Sequence, residues 1–409
     1  MGVVSVPAQG RGELTTAPES EAEGARVSTL ELFFDLVFVF TITQLTSVLA
    51  GEPNGRGLLA VVLMLGVIWW MYGGYAWLTN AVPPDRPEAR LLLMVGMAGF
   101  LVVALAIPRA FSGAGLAFGL GYLVVTLVHA GLFTRTSTRS AVRAILRLAP
   151  FNLASALLVL AGGVAGGDAE YVLWGLAFAL QAATPFLSGI GGFRVEPAHF
   201  VERHGLVVII VLGESVVAVG IGVAGEPIDL ALVGVAVLGL ALAAGLWWLY
   251  FGGDDERAER ALTAAPPERR PRLGLYSYGY AHVPIVLGVV AVAAGVKRSI
   301  GHAFEPQGLG LALLLGGGVA LYLAGEALFR RSLRMAPAWF RAAAGLVALA
   351  SVPLGMLVGA VAQLAFLVAL LAAAIVLEKR LAAPPATIAA PAPPPFPAVP
   401  GPRGGTSST

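Results

Sequence analysis

Repeated runs of about twenty apolar residues limit the fold of this chain more than any other feature of its sequence. A helix that crosses the roughly 30 Å hydrocarbon core of a bilayer needs about 20 such residues. Twelve runs meet this requirement, so the pattern predicts an all-α, polytopic integral membrane protein with about twelve transmembrane helices. The predicted spans are residues 29–50, 57–82, 90–108, 111–133, 142–165, 169–190, 203–224, 229–252, 273–296, 308–329, 338–355 and 357–378.

The composition of the chain excludes several classes of function. The chain is 57% hydrophobic and 12% charged, which is far from the balance of a soluble enzyme. Without cysteine it has no disulfides, no thiolate nucleophile and no iron–sulfur cluster. A net charge of +2 does not indicate a nucleic-acid partner. There is no Walker loop and no H-E-x-x-H motif, so we predict no cofactor and no metal, with the lipid bilayer as the main partner.

The two termini differ in composition from the apolar body. Residues 1–28 carry four glutamates and no apolar signal-peptide core, and residues 381–409 are rich in proline and alanine. Neither composition builds a core, so both segments are predicted to be disordered, as a leader and a tail.

The distribution of basic residues predicts the orientation. All but four of the 26 Lys and Arg residues fall in the termini and the even-numbered loops, the exceptions being Arg56, Arg109, Lys297 and Arg298. Basic loops resist translocation, so this asymmetry predicts a multi-pass protein of the plasma membrane with both termini in the cytoplasm.

Two similar strings, half a chain apart, indicate an internal duplication. GVIWWMYGG at 66–74 matches GLWWLYFGG at 245–253, and AGEP precedes both at 50–53 and 224–227. We therefore predict two six-helix halves, 29–190 and 191–380, related as a parallel repeat because each half has an even number of helices. The alignment of the first helix on the seventh stays open. One alignment pairs Glu31 with Glu202, and the matched AGEP loop shifts this alignment by three residues. Another alignment pairs Asp35 with Glu214.

Acidic residues inside apolar spans are the strongest functional signal. Each costs about 2.5 to 3.5 kcal/mol at bilayer depth and therefore needs a partner or a wet cavity. Glu31 and Asp35 lie one turn apart on one face of the first span. They either form ion pairs with a cytoplasmic arginine, Arg147 or Arg203, or hold a proton or a cation between them.

Glu214 is the least expected charge in the sequence. It lies about 18 Å deeper along the seventh span than Glu202, near the bilayer midplane. One interpretation makes it a protonatable or cation-coordinating group. The other makes it a neutral acid, or one paired with His129 or His282, that locks the bundle.

Several other polar residues have two interpretations each. His282 and His129 are either proton carriers or packing residues. Glu326 is expected to pair with Arg330 one turn on, and Thr43 to form hydrogen bonds between helices. The string His199-x-x-Glu202-x-His204 suggests a metal site only superficially. Its two histidines lie about 140° apart around a helix, so it would bind one ion only if the segment were not helical.

The strings ELFFDLVFV at 31–39 and LGESV at 212–216, the second following Glu202-Arg203, resemble the bacterial low-temperature-requirement A (LtrA) family. The resemblance covers about residues 25 to 380. It implies a multi-helix inner-membrane protein that is linked by name to growth in the cold, and it leaves the activity to be inferred from the residues.

Three functions are compatible with these features. The first is a proton-linked transporter or ion-conducting protein that takes a small ion or small-molecule substrate. Its path is predicted to include the intramembrane acids and two histidines, namely Glu31, Asp35, Glu202, Glu214, His282 and His129. The second is a membrane-embedded lipid-modifying enzyme that uses the polar residues around 199–204. The third is a scaffold or sensor in which the acids are structural. The sequence does not specify the substrate or the oligomeric state.

Overall fold

The structure is a computed structural model that describes residues 27–81, 86–135, 139–224 and 227–382. Throughout these ranges the regular elements are helical, and twelve helical stretches are long and apolar enough to cross a membrane. The prediction of an all-α protein with twelve spans is confirmed. The predicted leader and tail, 1–28 and 381–409, lie almost entirely outside the described residues.

The first six spans are single α-helices, and the third continues into a short 3₁₀ segment, Ile107–Ser112. Their bounds are α1 Thr29–Gly51, α2 Gly55–Ala81, α3 Pro87–Ala106, α4 Gly115–Thr134, α5 Arg139–Ala165 and α6 Gly167–Ser188.

The second six spans are less regular than the first. The eighth is extended by a short polar helix, the ninth contains a π-helical segment, Leu275–Tyr280, and the eleventh is broken in two. Their helices are α7 Pro197–Gly222, α8 Leu230–Phe251, α9 Asp254–Ala264, α10 Arg270–Gly274, α11 His282–Ser299, α12 Leu309–Ser332, α13 Ala338–Leu349, α14 Val352–Leu357 and α15 Ala360–Ala382.

The start of α7 differs from the sequence prediction, whereas the start of α1 agrees with it. Helix α7 begins at Pro197, six residues before the predicted start, because proline suits the first turn, where its missing N–H costs no hydrogen bond. Helix α1 begins after Ser28, whose hydroxyl accepts from the Glu31 backbone N–H while the Glu31 carboxylate accepts from the Ser28 N–H. This capping box fixes the first turn of α1.

The helices of the two halves pack in a similar partner order. In the first half α1 packs on α3, α2 on α6, α3 on α4 and α4 on α5. In the second half α7 packs on α11, α8 on α15, α11 on α12 and α12 on α13. A shared order of partners does not by itself establish a superposable repeat, so the duplication stays a prediction.

Four helices make the main contacts between the two halves. Helices α1 and α2 of the first half contact α7 and α11 of the second. The acids that the sequence singles out in α1 and α7 therefore face this boundary.

Candidate functional site

A cluster of buried charges lies where the starts of α1 and α7 meet. Glu31 and Asp35 occupy successive turns of α1, and His199 and Arg203 occupy successive turns of α7, so each pair shares one helix face. All four side chains are at most 7% exposed. We call this group, together with Tyr72 of α2, the Arg203 cluster, and the end of the bundle that holds it the Arg203 end.

Arg203 binds Asp35 with both arms of its guanidinium group. Its Nη1 lies 3.1 Å from Asp35 Oδ2, and its Nη2 lies 3.0 Å from Asp35 Oδ1. The Tyr72 hydroxyl donates to Asp35 Oδ1 at 2.8 Å. The Arg203 guanidinium also lies over the rings of Phe34 and Tyr72, 5.9 Å and 5.8 Å from their centres. An arginine that is paired with a carboxylate and stacked on aromatic rings in this way is tolerated in a buried site.

Glu31 has a different partner. The His199 Nε2 atom lies 3.3 Å from Glu31 Oε1, while the Arg203 Nε atom is 4.0 Å from it. On its other side, the His199 Nδ1 atom lies 3.2 Å from Asn80 Nδ2. Two acids thus share one arginine and one histidine.

In the first sequence interpretation of Glu31 and Asp35, these acids form ion pairs with a cytoplasmic arginine. The structure identifies which arginine this is. Arg203 pairs with the acids of α1, whereas Arg147 donates to the Gly191 carbonyl oxygen at 2.5 Å and lies on the surface.

Glu214 lies deeper on α7 and is 2% exposed. Its Oε2 atom is 2.5 Å from the Thr43 hydroxyl of α1, and its Oε1 atom is buried without a hydrogen-bond partner. Within the described part of the chain, no basic side chain comes within ion-pair distance of it. Neither predicted partner, His129 nor His282, binds it.

Polar groups continue from Glu214 toward the opposite end of the bundle. Ser47 lies one turn beyond Thr43 on α1 and accepts from the Lys297 ammonium group at 3.1 Å. Thr43, Ser47 and Lys297 are all half-buried. We call this group with Glu214 the Glu214 site, and this side the Lys297 end.

An aromatic layer separates the Arg203 cluster from the Glu214 site. Asp35 and Thr43 are eight residues apart on α1, which is about 12 Å. Between them lie Phe38, 2% exposed, and Ile42, 1% exposed. The Phe38 ring packs 4.3 Å from the Tyr72 ring and 6.2 Å from Trp69. The two polar groups are thus divided by closely packed apolar side chains.

The two histidines predicted as proton carriers lie outside both groups. The Nε2 atom of His282 is 2.9 Å from the Tyr250 hydroxyl and its Nδ1 atom is 2.8 Å from the Ser277 carbonyl oxygen. His129 packs against the Tyr75 and Phe133 rings. These surroundings are those of packing residues, and the structure brings neither histidine to Glu214.

The string around 199–204 is helical, and its members point in different directions. His199 meets Glu31, whereas the His204 Nδ1 atom is 2.8 Å from the Phe200 carbonyl oxygen. Glu202 is exposed and accepts from the Val27 backbone N–H at 3.4 Å. No group of three His, Cys, Asp or Glu residues that could hold a metal occurs in the described ranges.

A second buried ion network was missed by sequence reasoning. The prediction of an ion pair between Glu326 and Arg330 is wrong, because the Glu326 carboxylate forms its ion pair with Arg341, at 3.4 Å. Arg330 instead binds Asp254, at 2.5 Å from Oδ2, and Glu378. Asp254 lies in the predicted break after the eighth span and Glu378 is the last residue of the predicted twelfth span, and only the tertiary packing of α9, α12, α13 and α15 brings them together.

With twelve spanning helices and intramembrane charges at the boundary between its halves, the protein is a multi-pass helical membrane protein. The profile of the family described as bacterial low temperature requirement A protein (LtrA) matches residues 26–376. The chain belongs to this family, as its acidic motifs indicated. A relative from Rhizobium meliloti (strain 1021), described as uncharacterized protein RA0937, is 28% identical over 333 residues, covering 76% of this chain and 79% of the relative. No solved structure matches the chain.

Proposed function

We propose that this LtrA protein is a proton-linked transporter or ion-conducting protein of the plasma membrane, with Glu214 as the group that binds and releases the proton. The Arg203 end faces the cytoplasm in this proposal, because the basic residues are concentrated on that side. The Arg203 cluster and the Glu214 site then lie on opposite sides of the aromatic layer.

The geometry around Thr43 carries the proposal. The Thr43 oxygen is within hydrogen-bond distance of two acceptors, Glu214 Oε2 at 2.5 Å and the Val39 carbonyl oxygen at 3.2 Å. A hydroxyl has one hydrogen, so it donates to only one of them at a time. Both contacts are satisfied together when Glu214 carries a proton and donates it to Thr43. When Glu214 is ionised, Thr43 turns its hydrogen toward the carboxylate.

Thr43 therefore accommodates both charge states of Glu214 with only a rotation of its hydroxyl. A group that changes protonation inside a membrane needs a neighbour of this kind, because an unpaired buried charge is costly. The half-buried Ser47 and Lys297 provide polar contacts toward the Lys297 end.

The test is proton and cation flux into proteoliposomes that hold the wild type or the Glu214→Gln variant. We expect flux in the wild type and its loss in the variant, because glutamine fills the same space and carries no exchangeable acid proton. Glu170→Gln is the matched control. Glu170 is also a buried acid, 3% exposed, but it lies on α6, away from the boundary between the halves.

Unchanged flux in Glu214→Gln would remove Glu214 from the path. Absence of proton, potassium and sodium flux in correctly folded wild type would contradict transport. It would favour the membrane-embedded enzyme or the scaffold, which are distinguished by the lipid extract of a cold-grown deletion strain. The split of residues 199–204 between two environments already weakens the enzyme alternative, because that activity needs them in one place.

A further inference from the structure

An aromatic cavity lies beside the Arg203 cluster and belongs to neither polar group. It is partly open to the surroundings and lies between α2, α4, α5, α6, α7 and the π-helical segment. Aromatic rings make up much of its wall, namely Trp69, Trp70, Trp77 and Phe133 from the first half and Phe193 and Tyr278 from the second.

The wall presents mostly carbon atoms, and its buried polar exceptions are His129 Nε2 and the Tyr278 hydroxyl, which have no hydrogen-bond partner among the described residues. The Trp69 indole N–H donates to the Gly279 carbonyl oxygen at 2.8 Å, and the Trp70 N–H donates to Asn152 Oδ1 at 3.1 Å. Because both indole N–H groups already donate hydrogen bonds, the two rings present apolar faces to the cavity. An apolar occupant therefore suits the cavity better than a polar solute.

Glycine makes room for this occupant on α2. A Cβ atom built on Gly73 would meet no atom within 4 Å, while one on Gly74 would approach His129 Nε2 to 2.9 Å. Gly73 thus faces open space and Gly74 is packed against the opposite wall. A larger side chain at 73 would enter the cavity without displacing protein atoms.

The rim of the cavity is basic. Arg147 precedes the lining residue Leu148, and its guanidinium group donates to Gly191, between the lining residues Ile190 and Phe193. Arg143 lies one turn before Arg147 on the same face of α5, and both are exposed. The sequence contains no acidic residue between 89 and 167. The stretch of chain that carries the two arginines therefore contributes only positive charge to this rim, which attracts a negative group.

We propose that the cavity holds one acyl chain of an anionic phospholipid, whose phosphate head group pairs with Arg143 and Arg147. An apolar slot below a basic rim matches the two chemical parts of such a lipid, and basic pockets between membrane helices bind anionic head groups in this way. This site does not depend on the proposed transport activity.

Native mass spectrometry of the full chain, titrated with phosphatidylglycerol or phosphatidylcholine of identical acyl chains, tests the site. We expect the wild type to retain phosphatidylglycerol over phosphatidylcholine by on the order of tenfold. The Arg143→Gln/Arg147→Gln double variant should retain both lipids equally. Gly73→Leu should lose the retained lipid, because leucine occupies its space.

Gly234→Leu is the matched control, since Gly234 on α8 also has no atom within 4 Å of a built Cβ and lies outside the cavity. It should bind like the wild type. Equal retention of the two lipids by the wild type, or full retention by folded Gly73→Leu, would overturn the proposal.

A photoreactive acyl chain on phosphatidylglycerol tests the site without a variant. We expect crosslinks in the wild type on the lining residues of α2 and α5, such as Trp70, Trp77 and Leu148. Crosslinks confined to the outward faces of the helices would contradict the proposal, even if the Gly73→Leu variant failed to fold.

Discussion

The Arg203 cluster and the Glu214 site both join α1 to α7, but the buried acids in the two regions have different partners. In the cluster, Asp35 has three charged or hydroxyl contacts, from two atoms of Arg203 and from Tyr72. Glu214 has one hydroxyl contact and an unpartnered second oxygen. The acids of the cluster are paired with basic side chains, whereas a change of charge at Glu214 would break no ion pair.

The two regions also differ in how they connect the molecule. The Arg203 cluster ties α1 of the first half to α7 of the second through several charged contacts, so it contributes to the contact between the halves. The Glu214 site joins the same helices through one hydrogen bond. We therefore expect changes in the cluster to act mainly on stability, and changes at Glu214 to act mainly on function.

Arg203→Met should have the largest effect on stability. Two buried carboxylates would lose their cation, and removal of one partner from a buried ion pair typically costs about 3–5 kcal/mol. The free energy of unfolding in detergent, followed by tryptophan fluorescence, measures the loss. Arg203→Lys should recover part of it, because the charge remains while the two-armed geometry is lost.

Arg147→Met is the control for Arg203→Met. This arginine is exposed and donates to one backbone carbonyl, so its removal should change stability by less than about 1 kcal/mol. Equal losses in the Arg147 and Arg203 variants would show that the buried cluster is not a special source of stability.

Tyr72→Phe should have an intermediate effect. It removes one hydrogen bond to an ionised acceptor, which is worth about 1.5–3 kcal/mol, and keeps the ring contacts with Phe38. Tyr75→Phe is the matched control on the same helix. Tyr75 is equally buried but donates to the Val125 carbonyl oxygen at 3.0 Å, so its loss should cost only about 1 kcal/mol. A smaller loss in Tyr72→Phe than in Tyr75→Phe would indicate that Asp35 is neutral.

Most of the fold could be predicted from the sequence, because bilayer thickness alone sets the length of each apolar run. The ends of helices were less predictable. Span seven begins at Pro197 and not at residue 203, since its first turn is polar and hydropathy does not include it. The Ser28–Glu31 capping box has a sequence signature, and it gives Glu31 a structural role at the start of α1 as well.

The partners of the acids in the Arg203 cluster and the Glu214 site were harder to predict than the acids themselves. Depth in the membrane identifies Glu214 and Asp35 as unusual, and helical spacing places Glu31 beside Asp35. Arg147 and Arg203 both lie at the correct end of a span, and only the packing of α7 on α1 distinguishes them. The partner of Glu214 is an uncharged residue, Thr43, 171 positions away, which an argument from charge does not find.

Glu214→Gln should have the smallest effect on stability, less than about 1 kcal/mol, although it is the variant that we expect to abolish flux. Glutamine keeps the contact with Thr43, and no ion pair is lost because none is present. The same unfolding measurement separates the two interpretations of this acid. A loss comparable to that of Arg203→Met would mean that Glu214 is an ionised structural group. A small loss together with abolished flux would mean that its proton is needed for function and not for folding.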